Sequence, residues 1–204
     1  MANLPESGAN GEQIRDQDWY GEHLGAVTFR GCVFTDVDLS EVTTDGTTFD
    51  DCTFHNCRFN GSIHRATAFV GCDLRRCNFF TATLDGCKLT GSVFSECTLR
   101  PLTALGGAWQ SVTLRGHNLT GLDLRRIDLR ESDLSMTDLT DVCLREAKLD
   151  GAILRKADLT RTDLRRASLD SVDLASAELD GTKIDLRAAV MLAELHGAVV
   201  DLGE

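Results

Sequence analysis

From Leu24 to Ile184 an apolar residue recurs at every fifth position. Of the 33 positions in this series 20 are Leu, eight are Phe, and Trp109 and Ile184 supply one each, while Thr44, His64 and Ala104 interrupt it. Neither the helical period nor the strand period holds an apolar residue at every fifth place over so long a run. The five-residue unit is therefore itself the structural element. Two residues before each centre lies a second small or apolar class, including Val27, Cys32, Cys52, Cys72, Ala147, Ala152, Ala157 and Ala167. One residue before it Asp or Asn is common, as at Asp123, Asp128, Asp133 and Asp138. Two residues after it lie 11 of the 18 glycines, and glycine accepts the backbone of a tight corner. Each unit reads as one short side plus a turn, with the centre and the residue two before it pointing inward.

A period of 20 residues shows how many sides make one coil. The exceptional centres Thr44, His64 and Ala104 are separated by multiples of 20, the central phenylalanines avoid their face, and Cys32, Cys52, Cys72 and Cys57, Cys77, Cys97 form two ladders at that spacing. Four sides follow, so the expected fold is all-β: a right-handed quadrilateral parallel β-helix. About eight coils at a strand spacing of roughly 4.8 Å make a rod about 40 Å long. The phase does not slip, so no loop projects.

Three segments are expected: residues 1–21 as a flexible, non-repeat extension, 22–184 as the β-helix, and 185–204 as a helix and tail. In DLRAAVMLAELHG the residues Leu186, Ala189, Val190 and Ala193 share a helical face that Leu192 and Leu195 widen, and Gly197 stops the helix. A helix this short must rest on something, and both the last coil and a second chain are expected to receive it. Dimerisation is thus assigned to these residues together with Val199 and Val200, the start of a strand that could cross the pair. Near the middle, Pro101 at a corner, large Leu102, small Ala104 and the pair Gly106 and Gly107 predict a local irregularity in which Leu102 fills the space Ala104 leaves.

Composition changes the picture in one respect, the net charge of −11. Nucleic-acid binding needs clustered Lys and Arg, so direct binding is not expected, and a partner that grips acidic ligands fits better. The side centred on Leu39, Leu139, Leu159 and Leu179 collects Asp38, Glu41, Asp138, Asp141, Asp158, Glu178 and Asp180; the side centred on Phe49, Leu129 and Leu169 adds Asp50 and Asp51. Solvation of a rod is the plain explanation for such charges. No apolar run is long enough to span a membrane, and the opening residues lack the basic and hydrophobic parts of a leader, so a cytoplasmic protein is expected. Cys52, His55 and Cys57 superficially suggest a zinc site, but the two cysteines point inward and His55 outward, so no metal or cofactor is expected. Seven of the eight cysteines fall in the small inward class, where packing accounts for them. A filled rod offers no cleft, and no enzyme is expected.

These features resemble the pentapeptide-repeat family along nearly the whole chain. GSVFSECTLRPLT, LRGHNLTGLDL, LRESDLSMTDL, CLREAKLDGA and the terminal AELHGAVVDL are similar to its mycobacterial fluoroquinolone-resistance members. That resemblance implies a dimeric, DNA-mimicking rod that binds DNA gyrase, inhibits it and protects it from quinolones or related poisons. The nine carboxylates above would then be the gyrase-binding residues. Two alternatives remain open: self-immunity against a natural gyrase poison, and a non-enzymatic scaffold for another protein.

Overall fold

Backbone pairing joins residues 20 positions apart throughout. A computed structural model describes residues 8–201. Strands Ala9–Asn10, Thr28–Arg30, Thr48–Asp50 and Ala68–Val70 pair in parallel on the first side. Gln13–Arg15, Val33–Thr35, Thr53–His55, Asp73–Arg75 and Val93–Ser95 make the second. The third side is held by single-residue bridges, beginning Asp18 to Asp38 and Asp38 to Arg58. His23–Leu24, Thr43–Asp45, Ile63–Arg65, Thr83–Asp85 and Thr103–Leu105 form the fourth. Beyond Leu105 isolated bridges with the same offset continue the coil as far as Asp163 and Lys183. The molecule is a parallel β-solenoid whose strand-bearing part covers about five turns, as the five-stranded sheets show.

The coil begins earlier than residue 22, which corrects the expected extension over residues 1–21. Ala9 pairs with Phe29 and Ile14 with Phe34, and Ile14 and Trp19 are buried. The five-residue phase thus runs back through Trp19 and Ile14. It is hard to read there because Glu12 and Gln17 occupy the small-residue positions. Both are exposed. Polar residues sit there without desolvation. Residues 1–7 lie outside the described part of the chain.

Inside the rod, stacked centres fill the interior. Phe34 lies on Phe54 with ring centroids 4.6 Å apart, and Phe59 on Phe79 at 4.5 Å. The small class serves a second purpose beyond size. The thiols of Cys52 and Cys72 donate to the carbonyls of Phe29 and Phe49, each at 3.4 Å, and the hydroxyls of Ser92, Thr137 and Thr162 bond the corresponding carbonyls one coil earlier. Cys, Ser and Thr interchange here because each is a small donor. Burial pushes the Cys52 thiol up to about 11 and those of Cys72 and Cys87 up to about 12, so they remain protonated packing groups.

His64 replaces an apolar centre at the cost of a private hydrogen-bond network. Its Nδ1 meets Thr44 Oγ1 at 2.8 Å and its Nε2 meets Ser62 Oγ at 2.9 Å, while Thr44 Oγ1 also pairs with Thr67 Oγ1 at 2.6 Å. Every buried polar atom of the ring is satisfied. Burial drops the imidazole to about 3, so it is neutral in the folded chain.

Most corners follow one backbone rule, a left-handed residue two after the centre. Glycine fills many of them, but 19 non-glycine residues, from Asp16 to Ser171, also hold positive φ. At Pro101, which cannot take that conformation, the corner is made by a cis peptide bond after Arg100. Leu102 and Ala104 are half-buried beside an apolar cavity of about 10 Å³ that Phe79, Leu84, Phe94 and Trp109 help to line.

The residue before the centre often makes a local bond of its own. Asp or Asn there accepts the backbone N–H two residues on, as Asp38 does from Ser40 (3.0 Å), Asn118 from Thr120 (3.0 Å), Asp138 from Thr140 (3.0 Å) and Asp158 from Thr160 (2.9 Å). This local bond turns the chain early and leaves one bridging residue. Without that bond either outcome occurs: Thr48, Val33, Ile63 and Asp73 lie in three-residue strands, whereas Thr113 and Ile153 pair by single bridges.

Two measurements check these assignments. An alanine Cβ at Gly107, where φ is 123°, would meet the Cys87 carbonyl oxygen at 2.3 Å, so Gly107→Ala should lose on the order of 2 kcal/mol in urea denaturation. Met136→Gly, at an exposed corner with φ of 60°, should stay within about 1 kcal/mol of the parent. For His64 the folded-state pKa lies below the unfolded one, so below about 6.5 the unfolded chain takes up a proton that the folded chain refuses. Stability should therefore fall from about pH 6.5 towards pH 3 by up to about 1.4 kcal/mol per pH unit, and His64→Leu should abolish that component of the slope.

Candidate functional site

With the interior filled, chemistry is left to the outer columns of the rod. The third side carries most of the carboxylates singled out from the sequence. Its bridging column begins Asp18, Asp38, Arg58, Asn78 and ends Asn118, Asp138, Asp158, Glu178. Carboxylates therefore crowd the two ends, and the middle is neutral or basic.

Partners divide the nine carboxylates. Asp38 accepts from Arg58 Nη2 at 2.7 Å; burial pushes its carboxyl up, but Arg58 and Ser40 outweigh that and hold it down at about 2. Asp50 is tied to Arg30 at 2.9 Å, and Asp141 accepts two bonds from Arg161, both 2.7 Å. These three carry a charge that a neighbouring guanidinium largely cancels. Asp138, Asp158, Glu178, Asp180, Glu41 and Asp51 form no ion pair among the described residues. Burial raises the Asp138 carboxyl, yet the backbone and hydroxyl of Thr140 and the hydroxyl of Thr120 lower it further, so it is firmly ionised.

The structure thus brings together one group and separates another. Asp138, Asp158 and Glu178 bridge in consecutive coils, with exposed Asp180 two residues beyond Glu178. Asp50 and Asp51 lie on a different side and Glu41 at a corner near the opposite end of the rod.

Beyond Glu178 and Asp180, Leu186–Leu195 is a helix, begun by Asp185, whose carboxylate accepts from Ala188 N at 3.2 Å. Ala188 is buried, and Met191 and Leu192 rest against the core. Val190, Ala193 and Val200 are half-buried and Ala189 is exposed. Leu186 is 74 % exposed, Leu195 46 % and Val199 98 %. Of the eight residues assigned to dimerisation, Leu186, Ala189, Leu195 and Val199 are thus exposed once the helix has docked, and the other four are half-buried. Val199, Val200 and Asp201 carry no strand.

One feature escaped the sequence reading, a column of arginines on the fourth side. Arg125, Arg145 and Arg165 each follow a buried leucine in consecutive coils, with Arg126 and Arg166 at the corners beside them. The signal was present at 20-residue spacing, but the overall negative charge drew attention to carboxylates instead.

For catalysis or metal binding the geometry supplies little. Cys52 and Cys57 are buried, while His55 lies outside against Arg76. Among the described residues no group of three or more His, Cys, Asp or Glu side chains could hold a metal ion, and no helix is long and apolar enough to cross a membrane.

Comparison with known proteins places these features. The family model described as pentapeptide repeats matches in eight copies, over residues 28–63, 65–100, 110–145 and 143–181. The pentapeptide repeat protein MfpA of Mycobacterium tuberculosis is 39% identical over 120 residues, covering 54% of this chain and 52% of that protein. The match thus spans about half the length of this curated relative. Among solved structures, QnrB1, described as a plasmid-mediated fluoroquinolone resistance protein, superposes with a TM-score of 0.53 at 18% identity, covering 94% of this chain and 100% of the other. That likeness shows the fold.

Proposed function

Because this chain belongs to the pentapeptide-repeat family, we propose that it binds DNA gyrase in place of duplex DNA, inhibits it, and shields it from quinolones or related topoisomerase poisons. The observation that carries this reading is the run Asp138, Asp158 and Glu178, three carboxylates in consecutive coils without ion pairs, beside Asp180. A strand spacing of roughly 4.8 Å sets their repeat, against one phosphate per about 1.7 Å of duplex axis, so the imitation is partial. It supplies a negative column on a stiff rod, which suits a groove built to hold DNA. The similarity to MfpA and the fold shared with a fluoroquinolone resistance protein support the same reading.

The role of each carboxylate is electrostatic, and the protein acts by occupancy rather than catalysis, inside the cell where its target works. The docked helix turns Leu186, Leu195 and Val199 outward, and a second copy seated there would cover them. Two rods joined at these ends would extend the acidic column across the junction, because Glu178 and Asp180 lie in the coil just before the helix.

In a gyrase supercoiling assay with a type I topoisomerase as control, the purified protein should inhibit gyrase alone and reduce quinolone-stabilised breaks. Asp138→Asn, Asp158→Asn, Glu178→Gln and Asp180→Asn together should raise the inhibitory concentration on the order of tenfold. The Asn side chains retain the acceptor that the local turn needs, so the coil is kept. Unchanged inhibition would refute this assignment of the carboxylates. Sedimentation velocity tests the second copy: the parent should run as a dimer, and Leu186→Glu with Leu195→Glu as a monomer.

A further inference from the structure

The arginine column on the fourth side has no part in the acidic reading. Arg125 and Arg165 hold the aspartates two residues before them at 2.5 and 2.7 Å, and Arg126 and Arg166 share Glu146 at 2.9 and 3.8 Å. Arg145 reaches only Asp163, at 3.8 Å, and that carboxylate is already engaged by Arg165. Five guanidinium groups thus share three carboxylates, Asp123, Glu146 and Asp163, and the balance along this stretch is cationic.

Beside the column lies a surface depression of about 490 Å³. It lies where the repeat is irregular, with Ala104 and Gly106 among its lining residues. Leu105, on its rim, is 55 % exposed, and Arg125, Arg126 and Arg145 line it together with Asp123 and Glu146. An apolar ledge and an under-neutralised arginine row therefore occur together.

We propose that this depression and the adjoining arginines are a docking site for an acidic segment of a partner protein, an extended stretch with carboxylates at alternate positions and an apolar residue in the same phase at one end. Alternate residues of an extended chain lie about 7 Å apart, so two or three carboxylates span the roughly 10 Å covered by three successive coils. Arginine binds a carboxylate through paired N–H donors, which suits a row of such contacts. The apolar residue, on the same face as the carboxylates, rests on Leu105, which stands in one column with Arg125, Arg145 and Arg165. A nucleic acid fits less well: it carries about one charge per 1.7 Å without interruption and would run on past the site, against the carboxylates of the neighbouring third side. The site does not depend on the gyrase reading, since its residues lie on a different side of the rod from Asp138, Asp158 and Glu178.

Fluorescence anisotropy on the full chain tests it, with a labelled peptide of about eight residues, a Leu followed by Glu at alternate positions with Ser between them, as probe. The peptide should bind, and more weakly as salt rises. Its Gln counterpart should bind at least roughly tenfold more weakly, and so should the Glu peptide to a protein carrying Arg125→Ser, Arg145→Ser and Arg165→Ser, checked for its fold by circular dichroism. Asp138→Asn with Asp158→Asn and Glu178→Gln should leave peptide binding intact while weakening gyrase inhibition, which separates the two readings. Equal binding of the Gln peptide, retention of binding by the arginine variant, or tighter binding of a labelled oligothymidylate would each overturn the proposal.

Discussion

Backbone hydrogen bonds between successive coils are the constraint on which this molecule depends. Leu39 N donates to Arg58 O at 2.7 Å and Arg58 N to Val37 O at 3.1 Å, and the same offset recurs to the last coils. An N–H or C=O left unpaired inside the rod would be costly, so the offset cannot drift from coil to coil. Every side chain must then sit above the one 20 positions earlier. Stacked phenylalanines, ladders of cysteine and columns of charge are all consequences of that single register.

The same constraint explains why function has moved to the surface. Stacked centres leave an interior with room for little more than the small cavity near Trp109, and the shallow depressions outside are bordered by solvated side chains. What can vary without disturbing the ladder is the outward set of three residues in each five. Charge placed there is repeated or opposed at each coil, and long stripes of one sign arise from a few substitutions.

Aspartate in these stripes has two uses that compete. Asp38, Asp138 and Asp158 each accept a backbone N–H to make their own corner, which is a structural reason for their presence. The local bond uses one oxygen and leaves the charge in place. Whether that charge is offered to a partner depends on the residue one coil away: Arg58 answers Asp38, whereas Glu178 follows Asp158 and adds to it. The two ends of one side therefore differ electrostatically although their turns are alike.

Much of the fold was legible because burial is a one-residue property repeated without change. The apolar residue at every fifth position, the oddities at Thr44, His64 and Ala104, and the inward cysteines all report which side chains lack solvent, and a period can be counted along one chain. The first coil was missed because that pattern relaxes at Glu12 and Gln17. Candidate carboxylates were also legible as residue types on a side. Which of them stand free was not, since an ion pair such as Asp141 with Arg161 requires two flexible side chains to meet across coils. Nor could the sequence alone show which helical face Ala188 and Met191 press onto the last coil, leaving Leu186 outside. Sequence determined the period, the interior and the corners of this protein; tertiary structure decided the pairing of its charges and the faces left for partners, because those depend on contacts between side chains far apart in the chain.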